Sequence, residues 1–167
     1  MIVGDGESAE IAYEYFTYDS SWQVVAFAVE SKFRTRGELF DLPVFDLESL
    51  SERYPPDQFA AHVALSSTHL NRPRKRLYLH VKGLGYELPS YVSSRAFVWR
   101  NVEIGENSFI FENNVLQHHV HVGNNVVLWS GNHVGHRTVI RDHNFVRSEE
   151  HTSELQSLAY LVCRLLL

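Results

Sequence analysis

Six histidines crowd one stretch of this chain: His118, His119, His121, His133, His136 and His143. Imidazole changes charge near neutral pH, which makes it the natural general base for a hydroxyl or amine attacking a carbonyl. Such an attack also needs hydrogen-bond donors for the oxyanion that forms. No Ser-His-Asp or Cys-His arrangement is legible, so a covalent enzyme intermediate is not required. The run His118-His119-x-His121 has the flavour of a metal site. However, no cysteine or carboxylate is placed to complete a tetrahedral set, and no metal is expected.

The elements that must carry these side chains are set by a period of six. An aliphatic residue recurs at Val92, Val98, Ile104, Ile110, Leu116, Val122, Leu128, Val134, Ile140 and Val146. Neither an α-helix nor an alternating strand sustains that period, whereas a β-helix built of hexapeptides does. Three short strands and three corners close one triangular coil, and equivalent positions return every 18 residues. The aliphatic residues point into the prism. Four positions later the residues are small or slim: Ala96, Val102, Ser108, Asn114, Val120, Val126, Asn132, Thr138 and Asn144. Gly105, Gly123 and Gly135 follow aliphatics at corners where a Cβ would crowd the backbone. His136 stands two residues past inward Val134 and therefore points outward. His118 should lie directly beneath it, about 4.8 Å away along the strand-to-strand direction, with Arg100 below that.

The same register makes Phe109, Val127 and Phe145 one outward column and Phe111 and Trp129 a second around the corner. Exposed apolar surface of that size marks an interaction site. These columns are expected to form a three-fold contact between chains, unless the same chain covers them with its N-terminal domain or with its true C-terminal coils.

Ahead of the repeat the sequence reads as alternating strands and helices. Met1-Ile2-Val3 runs into Gly4-Asp5-Gly6-Glu7-Ser8-Ala9, and Ile11, Ala12, Tyr15 and Phe16 continue at helical spacing. A strand, a glycine turn and a helix N-terminus can cradle a phosphate. Gln23 to Glu30 reads as a second buried strand, with Glu30 near the position that binds ribose in dinucleotide folds. Leu42–Phe45 reads as an edge strand, Asp46–Tyr54 as a short helix, Ala61–Leu65 as a strand and Leu70–Lys82 as a helix. Strands alternating with helices predict a parallel sheet over residues 1–88.

The length of 167 residues allows one or two domains. A net charge of −5 gives no support for nucleic-acid binding. No apolar run is long enough to span a bilayer, and no signal peptide opens the chain, so a cytoplasmic protein is expected. The single cysteine, Cys163, excludes an internal disulfide framework.

A small strand–helix domain followed by a hexapeptide prism resembles the sugar acyltransferases related to the sialic-acid O-acetyltransferases, and with them the acetyltransferases of nucleotide-linked amino sugars. The resemblance covers Met1 to Val146. It rests on Gly4-Asp5-Gly6-Glu7-Ser8-Ala9-Glu10, Leu70-Asn71-Arg72, Ser90-Tyr91-Val92-Ser93-Ser94-Arg95-Ala96 and Gly131-Asn132-His133-Val134-Gly135-His136-Arg137-Thr138-Val139-Ile140. It implies a Rossmann-like α/β domain over 1–88 and a left-handed parallel β-helix over 89–146, incomplete at its C-terminal end. It also implies transfer of an acetyl group from acetyl-coenzyme A to a hydroxyl or amine of a sugar or nucleotide-sugar, in a homotrimer. His136 falls at the family's catalytic histidine, with His118 in support. Gly4, Asp5, Gly6, Glu7, Asn71 and Arg72 would hold the substrate. Relatives often place an acid right after the catalytic histidine. Here Arg137 stands there, and Asp142 is the acid expected to substitute through space. Two other function classes compete: a non-catalytic β-helix that binds or scaffolds, and a dinucleotide-binding oxidoreductase built on the N-terminal glycines.

At Arg147 the six-residue pattern stops. Arg147-Ser148-Glu149-Glu150-His151-Thr152-Ser153-Glu154-Leu155-Gln156-Ser157 resembles the translation of a sequencing adapter, so residues 147–167 are expected to be an artefactual tail. On that expectation the later coils, with much of the coenzyme site, are missing and the chain as written is close to inactive.

Overall fold

The computed structural model describes residues 1–147. Apart from Arg147, the adapter-like stretch lies outside the described residues.

The first unit is a five-stranded sheet of β1 (Ile2–Val3), β2 (Phe27–Val29), β3 (Glu38–Leu39), β4 (Leu42–Asp46) and β5 (His62–Val63), in the order β3-β4-β2-β1-β5. All pairs are parallel except β3 with β4, which form an antiparallel edge. Helices α1 (Glu7–Tyr18), α2 (Leu50–Arg53) and α3 (Arg72–Gly83) connect and cover it. Strand β2 is buried on both faces, as a central parallel strand must be. Its ladder is shorter than Gln23–Glu30: Phe27 and Ala28 pair with both β1 and β4, and Val29 with β4 alone. Helix α3 begins at Arg72 and not at Leu70. His69, Leu70 and Asn71 are left-handed, at φ 50°, 56° and 60°, and Pro73 supplies the fixed φ of the first helical turn.

The second unit is a parallel β-helix of ten two-residue strands: β6 (Tyr91–Val92), β7 (Phe97–Val98), β8 (Glu103–Ile104), β9 (Phe109–Ile110), β10 (Val115–Leu116), β11 (His121–Val122), β12 (Val127–Leu128), β13 (His133–Val134), β14 (Val139–Ile140) and β15 (Phe145–Val146). They stack as three sheets, β13-β10-β7, β14-β11-β8 and β15-β12-β9-β6, which are the three faces of a prism. Register runs strictly at 18 residues, as in Phe109↔Val127↔Phe145. Ile110, Leu116, Val122 and Leu128 have no exposed surface and form the axis of the core.

The corners explain a second periodicity. Asn107, Asn113, His119, Asn125, Gly131, Arg137 and His143, each three residues past an inward aliphatic, all have positive φ. Asparagine and glycine tolerate this left-handed conformation best. The slim inward residues close the corners: Asn114 Nδ2 donates to Phe111 O at 2.8 Å and Trp129 O at 2.9 Å, and Ser108 Oγ donates to Gly123 O at 2.9 Å. Glycine is required at Gly105, where a Cβ would come within 2.7 Å of the Gly123 carbonyl carbon, and at Gly123, within 2.7 Å of Asp142 N.

The expectation of an exposed apolar vertex is corrected. Helix α1 lies on the β15-β12-β9-β6 face. Tyr15 packs edge-on against Phe109 at 5.7 Å and Phe111 at 5.2 Å, and Phe16 against Phe109 at 6.0 Å. Phe109, Phe111 and Val127 are buried, and Trp129 and Phe145 pack against the same cluster. The columns serve as the seam between the two units. Asp19 at the end of α1 pins that seam, accepting hydrogen bonds from Tyr91 Oη and from Ser94 N at 2.9 Å.

Candidate functional site

Three of the six β-helix histidines share one corner. The turns between faces β13-β10-β7 and β14-β11-β8 carry Arg100, His118, His119, His136 and Arg137. His136 sits one coil above His118, with ring centroids 5.7 Å apart and planes inclined by 19°. His119 meets His118 edge-on at 4.8 Å. All three side chains are exposed. The backbone of His136 is held from below, its N–H donating to Gln117 Oε1 at 3.1 Å, while Gln117 Nε2 lies 2.9 Å from His133 Nε2. Ring desolvation, then the electrostatic effect of His119, His136 and Arg137, holds His118 below its ordinary pKa. His118 therefore stays neutral to lower pH than a free histidine.

Asp142 does not join this vertex. It lies in the next corner round, where it accepts from Asn124 N at 2.8 Å. Six residues separate it from His136, which is one face of the prism. The acid expected to orient His136 is thus not supplied by Asp142 of the same chain. Arg137 occupies the left-handed corner position at φ 60°. His121 stands out on its face against Glu103, 3.1 Å away. Among the described residues no group of three or more His, Cys, Asp or Glu side chains could hold a metal ion, and no helix is long and apolar enough to cross a membrane.

His143 belongs to the seam instead. Asn107 accepts from Val63 N at 2.7 Å, donates to Asn125 Oδ1 at 2.9 Å, and Asn125 Nδ2 lies 3.0 Å from His143 Nδ1. This ladder of corner residues ties β5 to three successive coils. Burial, then Lys75, keeps His143 below its ordinary pKa, against the opposing pull of Asp142.

The glycine turn opens a cleft of about 830 Å³ at the ends of β1, β2 and β5. Gly4, Asp5, Gly6, Glu7 and Arg72 all line it. Gly4 must be glycine: its φ is +128° and a Cβ would lie 2.5 Å from Ala64 O. Asn71 does not line the cleft. Its Nδ2 donates to His143 O at 2.8 Å, so it anchors the β-helix. The cleft gains cations that sequence reasoning had not assigned to it, Lys32 and Arg76, with Phe33 as an exposed aromatic wall. Arg76 grips Glu30 with two hydrogen bonds, 3.0 and 2.6 Å, and holds its carboxyl below the usual range. Every cleft residue falls between Val3 and Leu77, and none comes from the β-helix.

The profile of the bacterial transferase hexapeptide family (six repeats) matches residues 101–136, the stretch from the second β-helix corner to His136. No curated protein sequence matches the chain. Solved structures share its fold. The acetyltransferase domain of PglB from Neisseria gonorrhoeae FA1090 superposes with a TM-score of 0.73 at 21% identity, over 87% of this chain and 69% of that one. The same domain in complex with acetyl coenzyme A gives 0.56 at 16%, over 88% and 94%. A mutant GDP-perosamine N-acetyl transferase from Caulobacter crescentus, in complex with CoA and GDP-perosamine, gives 0.55 at 18%, over 88% and 64%.

Proposed function

We propose that this chain, once its β-helix is completed past Val146, transfers an acetyl group from acetyl-coenzyme A to an amine or hydroxyl of a nucleotide-linked sugar, with His136 as general base. The observation that carries the reading is the exposed His118–His136 stack within the stretch matched by the hexapeptide profile. Residues 1–88, as a Rossmann-like substrate domain, hold the nucleotide-sugar in the cleft. Gly4 and Gly6 let backbone approach the phosphates, Arg72 neutralises them, and Asp5 and Glu7 meet sugar or ribose hydroxyls. Residues 89–146 form a left-handed β-helix along which the acyl donor lies. His136 takes the proton from the attacking nitrogen or oxygen. The new bond forms at the thioester carbonyl, the oxyanion collapses, and the coenzyme leaves as its thiol with the proton returned by His136. The structurally similar GDP-perosamine N-acetyl transferase, which binds CoA and GDP-perosamine, favours the amine.

The N-terminal unit covers one face of the prism, and the histidine vertex lies opposite that face. A complete site then joins the cleft of one chain to the vertex of another, which a homotrimer supplies. Phe97 and Trp99 are 51% and 46% exposed on the open β13-β10-β7 face, with rings 5.9 Å apart, and form the contact. Use of acyl-coenzyme A as donor supports a cytoplasmic reaction.

The test is release of coenzyme A thiol when the protein meets acetyl-coenzyme A and a nucleotide-linked amino sugar. Subunit mixing then tests the shared site. His136→Ala and Arg72→Ala chains, each impaired alone, recover part of the activity when assembled together. Turnover absent in an intact trimer that still binds the sugar nucleotide would favour the scaffold reading.

A further inference from the structure

Arg74 is the largest fully buried side chain, 2% exposed, at the seam of the two units. Among the described residues its only hydrogen bond is a long one, from Nη2 to Asn107 O at 3.4 Å. Nε and Nη1 are buried and have no partner among the described residues, and no carboxylate there pairs with the guanidinium. An isolated buried charge is among the costliest arrangements in a protein, and normally carries a counter-charge. Burial accordingly pulls Arg74 down to about 10, which still leaves it cationic at neutral pH.

Arg74 borders a cavity of about 40 Å³ between α1, β5 and the β-helix. One water needs roughly 10–15 Å³, so the space takes about three or four heavy atoms. Its walls are otherwise nearly all apolar, including Ile11, Phe109, Phe111, Val127 and Trp129. The two remaining polar neighbours bring no charge. Ser8 offers a hydroxyl. His62 is fully buried, its Nδ1 lies 2.9 Å from Pro89 O, and burial lowers its pKa to about 3.

We propose that this seam cavity binds a small monovalent carboxylate of acetate size, with Arg74 as its anchor. A planar carboxylate suits the free N–H donors of a guanidinium. A methyl end suits the aromatic wall. A single positive charge among apolar walls discriminates against sulfate and phosphate, which carry two charges and would be left half-neutralised. The site is separate from the nucleotide cleft, although Ser8, Ala64 and Leu65 border both.

Trp129 lies in the cavity wall and Trp22 and Trp99 do not, which gives a local reporter. The full chain labelled with 5-fluorotryptophan is titrated with sodium acetate, sodium chloride and sodium sulfate at matched ionic strength and followed by ¹⁹F NMR. Acetate is expected to shift the Trp129 resonance alone, saturably and in the millimolar range, and to raise Tm. Arg74→Met is expected to abolish the shift. If Arg74→Met does not fold, Arg74→Lys keeps the charge without the planar fork and is expected to weaken acetate at least tenfold. Three results overturn the proposal: no saturable shift, the same shift with chloride or sulfate, or a shift that survives loss of the Arg74 guanidinium.

Discussion

His118 and His136 lie one coil apart, rings 5.7 Å from centroid to centroid and nearly parallel. Along with ring desolvation, the field of His136 disfavours a proton on His118. The pair can therefore keep one unprotonated imidazole in place near neutral pH, which a general base requires. For His118 the sign is determined: its folded pKa lies below the ordinary value. Protonation then favours the unfolded chain, so His118 erodes stability as pH falls through the ordinary histidine range. Following the ring proton of His118 by NMR, we expect titration below a free histidine, with an upward move in His136→Ala.

The same variant measures the chemistry. In a chain completed past Val146, His136→Ala is expected to lower kcat by roughly 10²-fold or more, the usual scale for losing a general base, with the KM for the sugar substrate little changed. His118→Ala should cost less. A reversal of that order in steady-state kinetics would move the base to His118.

Assembly should depend on the open face. A Phe97→Asp, Trp99→Asp chain is expected to run as a folded monomer by light scattering, with activity lost because the shared site is broken. Phe109→Asp tests the seam and behaves differently. It buries a carboxylate among Tyr15, Phe16 and Tyr91, and should destabilise the fold by at least ~3 kcal/mol, seen as a large fall in Tm.

Much of this geometry is arithmetic on the sequence. A period of six with return at 18 places His118 under His136 and Phe109 under Val127, and both hold. The same arithmetic, carried one step further, separates Asp142 from His136 by a full face. What periodicity leaves open is what docks on each face. An outward aromatic column looks the same whether it meets solvent, another chain or α1, and only the Tyr15–Phe109 and Phe16–Phe109 contacts decide it. Asn71 was similarly ambiguous. Beside Arg72 it looks like a ligand to substrate, but its left-handed backbone turns the amide onto His143 O. Arg74 carried no signal, because a lone arginine in a basic helix gives no sign that its guanidinium will be buried at a seam. The corner asparagines did carry one. Asn107, Asn113 and Asn125 recur at multiples of six, three residues past inward aliphatics, where left-handed corners favour that side chain.

The corner glycines give a test of the coil itself. Gly123→Ala pushes a methyl toward Asp142 N at 2.7 Å and Arg141 C at 3.0 Å, both backbone atoms that cannot rotate away. Overpacking of this kind costs about 1–3 kcal/mol. At ~2–4 °C per kcal/mol for a chain of this size, Tm should fall by roughly 2–12 °C. Gly37→Ala, where no atom lies within 4 Å, should leave Tm unchanged.

Acid should loosen the seam at Asp19 in a definite window. Hydrogen bonds from Ser94 and Tyr91 hold its carboxyl down at about 2, against an ordinary value of 3.8. A carboxylate whose folded pKa is depressed stabilises the fold fully above the unfolded value, and that contribution is lost as pH falls through the folded one. Asp19 therefore supports the contact of α1 with Tyr91 and Ser94 at neutral pH and gives it up between about pH 4 and pH 2. Asp19→Asn keeps the shape and removes the charge. Charge-assisted hydrogen bonds are worth about 1.5–3 kcal/mol when sheltered, and this one is partly solvated, so we expect the lower end and a Tm lower by ~3–6 °C at pH 7. Between pH 4 and pH 2 the variant should lose less Tm than the parent, because it has no proton to take up at this position. Parallel melting curves across that interval check it; equal slopes for the two proteins would show that Asp19 is not what acid releases.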